Sequence, residues 1–251
     1  MTTSFAKLAV IGGSGFYEFP DLEAAKTAEI ETPFDERKVV VTAGKIKGVS
    51  VAFLARHGRD HRIPPHLINY RANIWALKSL GVDSVLALNA VGGIAPQMGP
   101  GTLVIPDQII DYTYGRAHTY AETLSDSLNH IDFTEPFSQK LRSVLLSSAQ
   151  SLGINVVTPA VYGCTQGPRL ESAAEVRRCH RDGCDVLGMT AMPEAALARE
   201  LEMQYASLCT VVNWAAGLTG SPITLVEIHQ ILTQVRTSLR QLLVTSIAPL
   251  G

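Results

Sequence analysis

The sequence predicts a single α/β domain, and three observations predict it. Short apolar runs with strand character alternate with amphipathic helical stretches from residue 8 to the C-terminal region. No internal repeat, low-complexity tract or linker interrupts that alternation. With 46% hydrophobic and 18% charged residues over 251 positions, the chain can bury a substantial core.

The elements follow in order. Leu8 to Ile11 reads as a short buried strand, ended by Gly12-Gly13-Ser14-Gly15. Lys38 to Thr42 and Val49 to Leu54 read as strands joined by a turn at Ile46-Lys47-Gly48. From Pro65 to Leu80 the pattern is helical, with Ile68, Ala72, Trp75, Ala76 and Leu80 toward one side and Gly81 as the stop. Ser84 to Ala90 is a strand leading into a turn at Gly92-Gly93, and Leu103 to Ile110 is another strand. Tyr112 to Pro136 is polar, aromatic and without period, a long loop of the kind that carries function or an interface. Phe137 to Leu152 is helical, Asn155 to Tyr162 a strand, Ser172 to Arg181 a helix and Asp185 to Gly188 a short strand. Pro193 to Leu201 is a helix with proline in its first turn, and Ala206 to Asn213 a strand. Ser221-Pro222 reads as the start of a last helix, in which Ile228, Ile231, Leu232, Val235, Leu239, Leu242 and Leu243 recur at helical spacing.

Composition narrows the function. A net charge of −2 and a pI near 6.4, with no basic run, argue against a nucleic-acid binder. Cys164, Cys179, Cys184 and Cys209 form no CxxC pair; Cys179-His180 with Cys184 lacks a second pair at zinc spacing, so reduced thiols are expected and no metal. The apolar run at the start meets glycine too early for a signal sequence, and no segment approaches the ~20 apolar residues of a membrane span. A cytoplasmic protein without membrane contact is the expectation. The first turn lacks GxGxxG, GxxxxGK[ST] is absent, and Ser14 is not in a GxSxG context, which removes dinucleotide folds, the P-loop and a serine nucleophile.

Four strand ends deliver polar groups: Ser14, Arg56-His57, Asn89-Ala90 and Thr190. A phosphate dianion needs several donors around it, and hydroxyls, backbone amides and one fixed guanidinium supply them. Taken singly, each has an ordinary structural explanation: a turn serine, a strand-end arginine, a loop histidine, a turn asparagine. Taken together, Gly12-Gly13-Ser14-Gly15, Ala55-Arg56-His57-Gly58, Asn89-Ala90-Val91-Gly92-Gly93 and Met189-Thr190 resemble, in order and separation, the phosphate-binding segments of the trimeric purine nucleoside phosphorylase and methylthioadenosine phosphorylase family. Thr32-Pro33-Phe34, the stretch Asn69 to Lys78, Pro193-Glu194 and Gly167-Pro168-Arg169-Leu170-Glu171-Ser172 extend the resemblance along nearly the whole chain.

The resemblance implies a central mixed, partly barrel-like β-sheet flanked by helices, a homotrimer with the 112–136 loop at the interface, and inorganic phosphate as co-substrate with no cofactor. It implies that Ser14, Arg56, His57, Asn89, Ala90 and Thr190 hold phosphate and that Met189 lies along the ribose. The base pocket is implied at the Gly167 to Ser172 turn and the strand end at Asn213. Adenine-cleaving members carry D-x-D there, whereas this chain has Asn213-Trp214-Ala215. An ionised aspartate only accepts hydrogen bonds and suits adenine's amine; an asparagine amide also donates, which suits a 6-oxo group. Glu171 stands where 6-oxopurine-specific members hold the glutamate that accepts the ring N–H. Such a site can discriminate by up to ~10⁴.

For the sugar, His130 resembles a loop histidine lent to a neighbouring subunit, and Ile223, Leu225, Ile228 and His229 fall where methylthioadenosine phosphorylases place a 5′-methylthio pocket. Inosine-cleaving members place a 5′-hydroxyl-binding histidine in the same helix, so His229 fits either use. The two halves together imply S-methyl-5′-thioinosine as substrate. A methylthioadenosine or inosine/guanosine phosphorylase, or a purine-nucleoside binding protein without turnover, are the alternatives.

Overall fold

The computed structural model describes residues 6–122 and 129–251. Its eleven strands among those residues belong to one mixed sheet: β1 (Leu8–Gly12), β2 (Glu23–Thr32), β3 (Asp35–Ile46), β4 (Val49–Ala55), β5 (Ser84–Gly93), β6 (Leu103–Val104), β7 (Gln108–Asp111), β8 (Val156–Val157), β9 (Val161–Cys164), β10 (Val186–Gly188) and β11 (Gln204–Trp214). Five α-helices accompany them: α1 (Tyr70–Ser79), α2 (Gln139–Leu152), α3 (Ala173–Arg181), α4 (Ala191–Glu200) and α5 (Leu225–Ile247).

The strands at the centre are apolar on both faces because both faces are covered. Along β1, Ala9 and Ile11 join the core under α1 and α4, while Leu8 and Val10 join the core under α2 and α5. Along β5, Val85 and Ala87 face the first core and Leu86 and Leu88 the second, the alternation a pleated strand imposes. A third cluster, Ile94, Val176, Cys179, Cys184, Leu187 and Ala215, seats α3.

β5 is the hub. It pairs in parallel with β1 through its first half, in parallel with β11 along its whole length, and antiparallel with β10 at Gly92 and Gly93. The sheet therefore branches at β5. Gly92-Gly93 is not a turn, as the sequence suggested, but the paired end of this strand. Glycine is needed there for close approach: a Cβ on Gly93 would lie 1.8 Å from the Met98 carbonyl oxygen.

Other departures have equally local causes. β2 carries the sequence Glu-Ala-Ala-Lys-Thr-Ala-Glu-Ile-Glu-Thr and is almost wholly exposed, so it shows no apolar alternation; it is a charged edge strand paired with β3. The single strands expected at 103–110 and 155–162 are each divided in two, around Pro106 and Pro159, which have no N–H to offer a ladder. The helix expected from Pro65 is a 3₁₀ turn followed by α1, whose N-cap is Asn69, bonded to the Ala72 N–H. In α4, Met192 has non-helical φ/ψ, and regular helix starts at Pro193. The last helix starts at Leu225, not at Ser221-Pro222: Thr224 is its N-cap and accepts from the Glu227 N–H. The 112–136 loop holds no helix or strand among its described residues; part of it, 123–128, lies outside them.

Candidate active site

The Ser14 turn and the end of β5 meet at one narrow cavity. Ser14, Asn89 and Ala90 line it with Thr210, Leu232, Leu239 and Arg236, so helix α5 roofs the turn that follows β1. The turn comes close because Gly13 has no side chain: a Cβ there would sit 2.3 Å from the Leu88 oxygen and 3.0 Å from Arg56 Nη1. Arg56 follows β4, β1's parallel neighbour, and its N–H donates to the Gly12 oxygen.

Arg56 is buried. Its Nε and Nη2 donate to the two oxygens of Glu194 at 3.0 and 2.6 Å, and Nη1 donates to the Leu88 oxygen at 2.6 Å. The Tyr205 hydroxyl donates to Glu194 Oε1 at 2.7 Å. Burial alone would pull the guanidinium pKa down, but the Glu194 carboxylate outweighs it and the net shift is upward, so Arg56 is a permanent cation.

His57 is also buried, with Nδ1 2.8 Å from the Ile63 carbonyl oxygen. A carbonyl only accepts, so Nδ1 carries the proton and Nε2 presents a lone pair. Burial, with the Arg56 charge beside it, lowers the His57 pKa to about 4. The imidazole is neutral at physiological pH. It packs on His61 at 4.7 Å, and His61 on Tyr17 at 5.0 Å. Burial, then His229, lowers the His61 pKa too; His229 stands one turn before Leu232, which packs on Gly15.

Thr190 stands at the N-cap position of α4 without a side-chain cap bond, and Asn89 Nδ2 donates to its Oγ1 at 2.8 Å; Asn89 Oδ1 accepts from Ser207 at 2.6 Å. The Asn89 side chain is thus spent on fixing Thr190. Arg56 and His57 line a larger cavity of about 940 Å³, which shares Gly15 and Arg236 with the narrow one. All six residues expected at phosphate therefore gather in one region.

The residues expected around the base are more dispersed. Glu171, just before the Ser172 N-cap of α3, accepts from Thr165 Oγ1 at 2.5 Å and lines a separate cavity of about 440 Å³ with Tyr112, Gln166 and Gly167. Asn213 follows a register shift in β11, and its Nδ2 donates to the Trp214 carbonyl at 2.7 Å, leaving Oδ1 as an acceptor. Asn213 does not line that cavity. Ala215 is packed in the cluster under α3, with its N–H bonded to Gly93. Met189 is half-buried. His130 and His229 are exposed, Ile223 is half-buried, and none of them lines the three cavities.

Two contributors were given no site role from the sequence, although Pro193-Glu194 belongs to the resemblance. Arg116, from the long loop, is buried and encaged by acceptors: the carbonyls of Thr165, Gln166, Met189 and Met192, the Gln166 side chain and the Tyr70 hydroxyl. It ties the 165–167 turn to the Met189-Thr190 segment. A lone arginine in an aperiodic loop gives no signal of that. Glu194 gave one: it is the sole acid in the apolar run Ala191 to Ala198, and a buried carboxylate demands a cation.

The description Phosphorylase superfamily matches residues 7–248. This chain belongs to that superfamily. It is 48% identical over 229 residues, 91% of this phosphorylase and 92% of the relative, to "Probable S-methyl-5′-thioinosine phosphorylase" of Xanthomonas campestris pv. campestris. It is 44% identical over 246 residues, 96% of this chain and 92% of the other, to the 6-oxopurine nucleoside phosphorylase of Pyrococcus furiosus. Among solved structures, a methylthioadenosine phosphorylase from Schistosoma mansoni in complex with adenine superposes with a TM-score of 0.91 at 30% identity, covering 98% of this chain and 92% of that one.

Proposed function

We propose that the protein cleaves S-methyl-5′-thioinosine with inorganic phosphate, giving hypoxanthine and 5-methylthioribose 1-phosphate. The observation that carries the reading is the convergence of Ser14, Asn89-Ala90, Thr190 and Arg56-His57 on one region beside the ends of β1, β4 and β5. The relatives at 44–52% identity, named for methylthioinosine and 6-oxopurine nucleosides, support the choice of base and sugar.

A phosphate oxygen forms the new bond to the anomeric carbon, opposite the base, as the carbon–N9 bond breaks. Its electron pair passes to the purine, and the oxocarbenium-like ribosyl group is stabilised by the phosphate charge at its face. Asn213 Oδ1 holds the proton on the leaving imidazole ring, and Glu171 anchors the six-membered ring. Met189 supports the ribose, with Ile223 and His229 toward the 5′ substituent and Ala215 behind the base. Neutral His57 accepts, through Nε2, the hydrogen of a monohydrogen phosphate or a bridging water. Phosphate is itself the nucleophile, so this chemistry calls for no metal or organic cofactor.

We further propose a homotrimer in the cytoplasm. Leu67, Tyr114, Leu225 and Val226 are exposed apolar side chains, and a neighbouring subunit would bring His130 to the sugar. Four free, buried cysteines fit a reducing compartment. No described helix is long and apolar enough to cross a membrane.

The test is purine release from methylthioinosine, methylthioadenosine and inosine, each with and without phosphate. Phosphate-dependent release fastest from methylthioinosine is the expected result. Preference for methylthioadenosine would overturn the base assignment, preference for inosine the sugar assignment, and phosphate-independent binding without turnover the enzymatic reading.

A further inference from the structure

Arg56 and Glu194 form an ion pair in which both side chains are fully buried. Taking two ions out of water costs more than their attraction returns unless every remaining group is satisfied, and apolar residues of similar volume are often as stable in their place. Stability alone is a poor reason for such a pair. Its geometry offers a better one.

The guanidinium has five N–H donors. Glu194 takes one on Nε and one on Nη2, and the Leu88 carbonyl takes one on Nη1. One N–H on each Nη atom is left. Leu88 immediately precedes Asn89-Ala90, and Nη1 lies against Gly13, which immediately precedes Ser14. Nη1, with one N–H to spare, therefore lies beside the two segments that line the narrow cavity, and Arg56 itself lines the larger one. Glu194 is itself held: Oε1 accepts from the Tyr205 hydroxyl as well as from Nη2, and it stands on the first regular turn of α4, four residues after Thr190.

We infer that Glu194, braced by Tyr205, is a positioning residue for phosphate: it fixes the plane of the Arg56 guanidinium so that two N–H groups face the anion. This rests on the phosphorolytic reading given above. It also changes what holds the anion. Arg56 and Glu194 together carry no net charge, so what Arg56 offers the anion is directed N–H groups rather than an unbalanced charge, while the separate cation Arg236 lines the narrow cavity.

The experiment measures KM for phosphate and for methylthioinosine, with kcat, in wild type, Glu194→Gln and Tyr205→Phe, alongside thermal melting and calorimetric titration with inorganic phosphate. Glu194→Gln keeps the volume but turns one acceptor into a donor facing the guanidinium. It is expected to raise the phosphate KM about tenfold or more, the scale of one charge-assisted hydrogen bond, with the methylthioinosine KM within about twofold. Tyr205→Phe removes only the brace and is expected to raise the phosphate KM about threefold; it remains informative if Glu194→Gln does not fold. A purely structural role would lower the melting temperature and leave both KM values unchanged, and that result overturns the inference. Equal rises in both KM values overturn it as well. Absence of turnover in wild type would instead defeat the phosphorolytic reading. Calorimetry then decides the positioning role by itself: weaker phosphate binding in the variants upholds it, and equal binding, or none in wild type, ends it.

Discussion

Under the proposed function, Asn213 is where a single side chain would separate two substrate classes. One amide hydrogen is already given to the Trp214 carbonyl, which leaves Oδ1 as an acceptor and the second amide hydrogen as a donor for a 6-oxo group. Replacing the amide by a carboxylate leaves two acceptors and no donor. Asn213→Asp should raise the adenine-to-6-oxopurine ratio of kcat/KM by about tenfold or more, read from competing release of adenine and hypoxanthine. An unchanged ratio would remove Asn213 from base selection. His57 makes a second prediction at this scale. Its folded pKa of about 4 lies below its ordinary 6.5, so the unfolded chain binds the extra proton first as pH falls. The stability this contributes is complete above pH 6.5 and declines between about 6.5 and 4. Thermal melts at pH 7 and pH 5 should show a smaller loss for His57→Gln than for wild type.

At the scale of the element, what could be read from sequence depended on how much apolar surface an element buries. β1, β4, β5 and β11 cross the core and announce themselves by continuous apolar runs. β2 buries almost nothing and left no such trace; it exists because β3 offers it a free edge. Helix starts were legible only where the capping side chain stood next to the periodic run, as Ser172 does for α3 with its Glu175 capping box. For α5 the sequence pointed to Ser221-Pro222, whereas the cap is Thr224, three residues nearer the periodic run. Thr224→Ala should cost about 1 kcal/mol and lower the melting temperature by roughly 2–4 °C, whereas Ser221→Ala should leave it unchanged. Calorimetric melting of the two variants checks this.

For the whole molecule, sequence order concealed what the sheet unites. The segments proposed to hold phosphate are spread from residue 14 to residue 190, and the shared hub β5 explains why they converge. Their residue types were readable because anion binding needs a particular set of donors. The cage around Arg116 was not, since carbonyl oxygens belong to every residue and mark none. Glu171 and Asn213, the residues proposed to hold the base, hang from strands separated by β5 and β10, so one chain displays them apart. A homotrimer completing the sugar pocket should elute in light scattering at three times the 27.0 kDa chain mass. Charge substitution at Leu225 and Val226 should shift that mass downward and reduce turnover together.

The roof that α5 places over the Ser14 turn has a consequence for biosynthesis. A ribosome delivers the first strand and its glycine turn early, and β5 soon after, but Leu232, Arg236 and Leu239 follow only after all eleven strands. Chains emerge N-terminus first. The walls of the proposed anion pocket are therefore finished only once α5 has been translated, and a nascent chain stopped before α5 carries the Ser14 turn and the end of β5 without that roof.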